Sequence, residues 1–223
     1  MAKKQSKKQV LLLDLYGVII RESKGNFIPY TFAHFGEKEY ARLEQAFRDE
    51  RLFTKCQNGE MSSDEFLSRL GYENPAWAMR DYLEHFVTLD TDFLSFAEQY
   101  HTRYDFVLLS NDVKEWNRYL FEFYGLHRYF HDCIVSGDIS LRKPDPALFA
   151  YVLSRTRRSS EPQTCILADN STANLDAAKA FGIRTILFNR DHVPYDGRAV
   201  NSFSELARCL DSISIETSKS NEL

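Results

Sequence analysis

Three short apolar runs in this 223-residue chain, and one charged proline-bearing segment, each carry or lead to a group able to do chemistry. Val10 to Leu13 delivers Asp14, a carboxylate that can act as a nucleophile, and then Tyr16-Gly17. Phe106 to Leu109 ends in Ser110-Asn111, a hydroxyl and an amide that can hold an anion. Arg142-Lys143-Pro144-Asp145-Pro146 offers a cation just before a helix, and Cys165 to Ala168 ends in Asp169-Asn170-Ser171. Singly, each is what a turn after a strand contains. Together, a carboxylate nucleophile, a hydroxyl, a cation and a further acid suit attack on an electrophile whose leaving group carries negative charge.

The elements that must position these groups follow from periodicity. Apolar runs of four to eight residues bounded by turn residues read as buried strands: Val10–Leu13, Phe106–Leu109, Cys133–Val135, Cys165–Ala168 and Thr185–Phe188. Between them, amphipathic stretches read as helices over 113–124, 147–154 and from 171 to Phe181, with Gly125 and Gly182 as stops and proline at the start of the second. Such alternation predicts an α/β fold, a Rossmann-like parallel sheet with helices on both faces, whose strand ends at the carboxyl edge converge on one pocket.

From about residue 21 to 90 the pattern is purely helical, with apolar residues three to four apart over 27–35, 37–51, 62–70 and 75–86. Ser62 or Ser63 is the expected cap of the third of these. The expected organisation is a core of residues 1–20 and 91–211, a helical insertion over 21–90, and a polar, disordered tail over 212–223.

Composition narrows the function. Net charge is −4 from 28 basic and 32 acidic residues, so no global field recruits nucleic acid or a membrane, and a small anionic substrate must be held by local charges. The lysine-rich start reads as a frayed tail, since Asp14 interrupts the apolar run that a signal peptide would need. Four scattered cysteines, Cys56, Cys133, Cys165 and Cys209, form no CxxC pair and read as buried thiols of a cytoplasmic protein.

In order and spacing, Asp14-Leu15-Tyr16-Gly17-Val18, Leu109-Ser110-Asn111, Lys143-Pro144-Asp145-Pro146 and Asp169-Asn170-Ser171 with Asn174 resemble the four motifs of the haloacid dehalogenase (HAD) superfamily. The likeness covers roughly residues 9 to 190, and the helical insertion resembles the α-helical cap of members that carry it after the first strand. The resemblance implies a hydrolase in which Asp14 forms a covalent aspartyl intermediate and Ser110 and Lys143 bind the transferred group, with Tyr16, Gly17 and Asn111 at the substrate. It also implies Mg²⁺ held by Asp14, the Tyr16 backbone carbonyl, Asp169 and Asn170.

Two residues depart from the phosphatase pattern. Tyr16 stands where those enzymes carry the acid that protonates the leaving group, and Asn170 where they carry a second charged metal ligand, which predicts a weakened Mg²⁺ site. The leading expectation is metal-assisted hydrolysis of a small phosphorylated metabolite. Tyr16 also resembles the metal-free 2-haloacid dehalogenases, with Arg42 or Arg48 as candidates for halide, and a decayed binding protein on a hydrolase scaffold is the remaining alternative.

Overall fold

The computed structural model describes residues 8–23 and 25–220, with side chains as far as residue 215. Through residue 7, the segment read as a frayed tail lies outside the described residues. Strand β1 (Gln9–Leu13) is followed by six helices: α1 (Phe27–Phe35), α2 (Tyr40–Glu44), α3 (Leu52–Gln57), α4 (Ser63–Arg69), α5 (Pro75–His85) and α6 (Asp92–Tyr100). The chain then alternates through β2 (Tyr104–Ser110), α7 (Lys114–Phe123), β3 (Phe130–Val135), α8 (Ser136–Ile139), α9 (Pro146–Arg155), β4 (Cys165–Asp169) and α10 (Thr172–Lys179). It closes with β5 (Arg184–Phe188), β6 (Ala199–Val200) and α11 (Phe203–Ser220).

All six strands are parallel, in the order β3-β2-β1-β4-β5-β6. The chain runs outward from β1 in one direction and later from β4 in the other, so the crevice at the carboxyl edge between β1 and β4 is the topological switch point. Alternation along each strand splits the core in two. Leu11, Leu13, Phe106, Leu108, Ile166 and Ala168 pack with α6, α7 and α11 on one face. Val10, Leu12, Val107, Leu109, Cys165 and Leu167 pack with α9 and α10 on the other. A strand buried on both faces has to be apolar at every position, which is why β1 carries no internal polarity until Asp14. Each such buried Leu or Phe contributes about 1.5–3 kcal/mol.

Local signals explain several boundaries. Ser62 caps α4 by accepting from the Glu65 amide at 3.1 Å. Pro146 opens α9, with Asp145 accepting from the Ala147 amide at 2.8 Å. The stretch expected as one helix over 37–51 is instead a 3₁₀ turn (Glu37–Glu39), α2, and a π-helical turn (Gln45–Asp49), stopped by Arg51 at φ 54°. The polar tail expected to be disordered from residue 212 continues α11 to Ser220. Leu206, Leu210 and Ile213 lie three to four residues apart and are fully buried, so one face of the helix holds it to the sheet.

Helices α1 to α5 join the sheet through a narrow neck. Ile20 bridges Leu89, the Arg21 amide donates to Thr88 O at 2.9 Å, and the Asp90 amide donates to Ile19 O at 2.9 Å. Arg190, just beyond β5, clamps this neck: its guanidinium donates to Gly17 O (3.2 Å), Val18 O (2.9 Å) and the Asp90 carboxylate. Among the described residues, no helix is long and apolar enough to cross a membrane.

Candidate active site

Asp14 is the first residue past β1 and Asp169 the last residue of β4. The Asp14 amide donates to Ala168 O at 3.1 Å, carrying the β1–β4 ladder one step further and bringing both carboxylates to the switch point. Lys143 arrives from the loop before α9 and fills the gap between them. Its Nζ lies 2.8 Å from Asp14 Oδ1 and 2.7 Å from Asp169 Oδ2, and donates to Leu109 O at 2.7 Å, with only 1% of the side chain exposed. Burial works against the ammonium, but the two carboxylates outweigh it and hold Lys143 above its ordinary value. Burial, and then Asp169, push Asp14 up to about 7 against the pull of Lys143.

The supports of this trio are nearly saturated. Asp14 Oδ1 also accepts from the Leu15 amide at 2.8 Å. Asp169 accepts from the Ser171 amide at 2.8 Å and from Asn174 Nδ2 at 3.0 and 3.1 Å, in addition to Lys143. Asn111, expected at the substrate, lines the cavity, yet its amide group is spent on the Lys143 main chain, accepting from N and donating to O at 2.8 Å each. Its evident work is to fix the loop that carries Lys143. Gly17, also expected at the substrate, does not line the cavity. It sits at φ 80°, and a Cβ there would collide with Asn170 Nδ2, so glycine lets Asn170 close over the loop after Asp14.

Ser110 completes the polar side. Its hydroxyl is buried, and among the described residues it has no hydrogen-bond partner. A buried hydroxyl without a partner costs stability unless a ligand satisfies it. Beside it, Asp112 is 1% exposed; its Oδ1 accepts from the Val113 amide at 2.8 Å, while Oδ2 has no partner among the described residues. Burial pushes its carboxyl up to about 8, so at neutral pH it is largely protonated. Tyr16 is half-buried, and burial together with Asp112 pushes its phenol well above the ordinary value.

These groups face a cavity of about 400 Å³. Its far side comes from the helical insertion and α7: Phe27, Ile28, Pro29, Phe53, Tyr82 and Trp116. Neither Arg42 nor Arg48, the sequence candidates for binding halide, lines it. Arg42 pairs with Glu39 at 2.6 Å and donates to Leu70 O, and Arg48 lies exposed beside Glu44 and Asp49. Nor do the cysteines offer a nucleophile: none of the four lines the cavity, and burial pushes the Cys56 and Cys133 thiols up to about 12.

As a cation site, the expected set contains two carboxylates, Asp14 and Asp169, and neutral oxygens. Asn170 donates through Nδ2 to Ser23 O at 3.2 Å, which leaves its Oδ1 as a ligand atom. Among the described residues, no group of three or more His, Cys, Asp or Glu side chains could hold a metal. Oxygen donors fit Mg²⁺, and two opposed buried carboxylates gain from a cation between them, but the set carries one charge fewer than a three-carboxylate site.

Asp112, Arg190, Tyr82 and Trp116 were not legible as site features, and Phe27 and Phe53 read first as helix packing and only second as substrate-facing. Asp112 reads as a turn residue after Asn111, and Arg190 lies 173 residues from the Gly17 carbonyl it holds. For the aromatics, the helical spacing that would point into a cavity is the same spacing that builds a core.

A carboxylate past the first strand, a hydroxyl at the end of its neighbour, a lysine from the loop before α9, and a helical insertion between the first two strands define a HAD-type hydrolase scaffold. The model of the haloacid dehalogenase-like hydrolase family matches residues 8–182, and the chain belongs to that family. The Bacillus subtilis protein YfnB is 26% identical over 155 residues, covering 64% of this chain and 66% of that protein. Pyrimidine 5'-nucleotidase PynA of Streptococcus pneumoniae is 28% identical over 92 residues, 39% of each chain. Both matches span less than two thirds of the relative. A HAD family enzyme of Bacteroides thetaiotaomicron, solved with magnesium and inorganic phosphate, has the same fold, with a TM-score of 0.68 at 20% identity over 81% of this chain and 94% of that one.

Proposed function

We propose that this chain hydrolyses a small phosphorylated compound, with Asp14 as the nucleophile. The observation that carries the reading is the Lys143 ammonium bridging Asp14 and Asp169 beside the unpartnered hydroxyl of Ser110. Such a cluster holds one oxygen of Asp14 and leaves the other, Oδ2, for attack on phosphorus. The bond from phosphorus to the leaving oxygen breaks and takes its electron pair with it, giving an aspartyl phosphate. Water then attacks that phosphorus, restoring the Asp14 carboxylate and releasing inorganic phosphate. Lys143 and Ser110 meet the charge on the transferred group, which in a water-poor site is the largest available contribution.

Mg²⁺, when bound, would neutralise charge between Asp14 and the transferred phosphoryl; Asp14, the Tyr16 carbonyl, Asp169 and Asn170 would hold it. The magnesium and phosphate in the Bacteroides structure support this reading. A relative named pyrimidine 5'-nucleotidase supports phosphate chemistry, though not the choice of leaving group. Tyr16 sets the limit. Its phenol, held above the ordinary value, is a poor donor to an alkoxide, so the leaving group must depart as a stable anion, as acyl and aryl oxygens do.

The test is a screen of p-nitrophenyl phosphate, acetyl phosphate and 2-chloropropionate, each with Mg²⁺ and with EDTA. Both phosphates should turn over with Mg²⁺ and stop in EDTA, and 2-chloropropionate should not react. Metal-free turnover of 2-chloropropionate, with neither phosphate hydrolysed, would overturn the proposal.

A further inference from the structure

The side of the cavity opposite Asp14 is built almost entirely of carbon. Phe27 stands at its centre, with ring centroids 5.3 Å from Phe53, 5.1 Å from Tyr82 and 4.8 Å from Trp116, and these are inclined or edge-on contacts. Phe53 and Tyr82 each also meet Trp116, at 5.7 and 5.4 Å. Ile28 and Pro29 extend this surface toward the opening. The polar atoms of the large rings are engaged in part, with the Tyr82 O–H still able to donate. Trp116 Nε1 donates to Ser63 Oγ at 2.7 Å, and the Tyr82 hydroxyl accepts from the Asn26 amide at 3.2 Å. Phe27, Tyr82 and Trp116 are only 1–2% exposed, so they back this surface, and Phe53, Ile28 and Pro29 present it.

Packing alone does not account for the arrangement. Phe53 and Ile28 are not closed into the core: Ile28 is 40% exposed and Phe53 is half-buried, and both border the same cavity as Asp14 and Lys143. An apolar surface beside a reaction centre recovers free energy when an apolar group covers it, and ring edges and faces favour another ring. A sugar or amino-acid leaving group would have to strip its hydroxyls or charges of water against this surface and find few partners there. Among the described lining residues opposite the strand ends, Gln57 and Ser23 are the polar side chains in reach, and neither is charged.

We infer that the helical side of the cavity is a binding site for an apolar aromatic leaving group, making aryl phosphate monoesters the substrate class. This inference rests on the phosphohydrolase reading above and deepens it. One cavity joins the two ends of the same molecule: its apolar side borders the ring, and Asp14, Ser110 and Lys143 border the phosphoryl group. In the balanced step, Asp14 Oδ2 bonds to phosphorus as the aryl C–O⁻ departs with the electron pair, and the phenolate then takes its proton from water.

The experiment separates ring binding from leaving-group acidity. Phenyl phosphate and 2-naphthyl phosphate have leaving groups of similar acidity but differ by one fused ring, and acetyl phosphate has a good leaving group with no ring. With Mg²⁺, KM should fall about tenfold from phenyl to 2-naphthyl phosphate, and acetyl phosphate should have the highest KM. Ile28→Asp, at an exposed position, should cut the ratio of kcat/KM for 2-naphthyl over acetyl phosphate at least tenfold. Calorimetry of 2-naphthol on the wild type and on Ile28→Asp reads the same site without turnover: binding should be measurable and should weaken in the variant. Acetyl phosphate hydrolysed as well as the aryl esters, with no 2-naphthol binding, would overturn this inference and leave the phosphohydrolase reading standing. Saturable 2-naphthol binding that Ile28→Asp abolishes, with no phosphate released from any ester, would keep the aromatic site but overturn both the substrate class and the phosphohydrolase reading.

Discussion

On the sheet side of the cavity, Asp14, Asn111, Lys143 and Asp169 are joined by contacts of 2.7 to 2.8 Å that leave few polar atoms free. On the helical side, Phe53, Tyr82 and Trp116 meet the same space with rings whose polar atoms are turned to the protein. The sheet side is therefore held by individual hydrogen bonds and the helical side by packing of apolar groups. In the proposed function, chemistry falls to the first and choice of substrate to the second. The neck at Ile20 and Leu89, held by Arg190, keeps the two in register while requiring little of the sequence between them.

The largest way to break this contrast is Lys143→Ala. It leaves the buried carboxylates of Asp14 and Asp169 facing each other without their cation, which should cost roughly 3–5 kcal/mol of stability. Where the variant still folds, kcat should fall about 10²- to 10³-fold, the usual cost of removing one group that meets transition-state charge. Thermal unfolding and steady-state kinetics check both, and a variant with wild-type Tm and kcat would remove Lys143 from the centre of the site.

Tyr16→Asp sharpens the comparison by supplying a carboxyl where the phenol now stands. General acid–base help is worth about 10²-fold at its lower end, and it should appear on alkyl phosphates, whose alkoxides leave poorly, far more than on aryl or acyl phosphates. Near Asp14 the new carboxylate adds like charge and the lost ring leaves a void, so circular dichroism must first show the variant folded. Equal gains on all phosphates, or good hydrolysis of alkyl phosphates by the wild type, would show that Tyr16 sets no such limit.

Asp112 gives the smallest expected effect. Burial raises its carboxyl from 3.8 to about 8, so between those values the folded chain keeps a proton that the unfolded chain has lost. Its effect on stability is therefore most favourable below the unfolded value and declines as pH rises toward about 8. Asp112→Asn should flatten that part of the Tm–pH profile, with its advantage over wild type largest near the alkaline end and little change in turnover. An unchanged slope would place the Asp112 carboxyl in contact with water.

Much of this contrast was open to a reader of the sequence on the sheet side and closed on the helical side. Strands buried on both faces must be apolar throughout, so β1, β2 and β4 announce themselves, and the first polar residue after each marks the pocket. Three of the polar clusters stand at the ends of these strands and the fourth in the loop before α9, with Lys143 in direct contact with Asp14 and Asp169. The supporting bonds were not legible, because Asn111 and Arg190 act on the backbone of residues far along the chain. Helix α11 was misread from residue 212 because its exposed face is polar, although Leu206, Leu210 and Ile213 keep the helical spacing. β6, at two residues, is too short to show a period. The aromatic surface was hidden for a different reason: Phe27, Phe53 and Trp116 occur in patterns that would serve a helical core equally well, and only their shared border with Asp14 distinguishes them.

The central claim is that Asp14 forms a covalent bond to phosphorus, and intact-protein and peptide mass spectrometry test it most directly. The enzyme is mixed with excess p-nitrophenyl phosphate and Mg²⁺ and quenched in acid within the first turnover, where acyl phosphates survive, and the peptide carrying Asp14 is then mapped. The account predicts the added mass of one phosphoryl group on Asp14, discharged by hydroxylamine. It predicts neither adduct nor turnover in Asp14→Asn, where loss of the attacking carboxylate costs several orders of magnitude. Turnover with the phosphoryl group on another residue, or an Asp14→Asn variant that keeps more than about a tenth of wild-type activity, would contradict it.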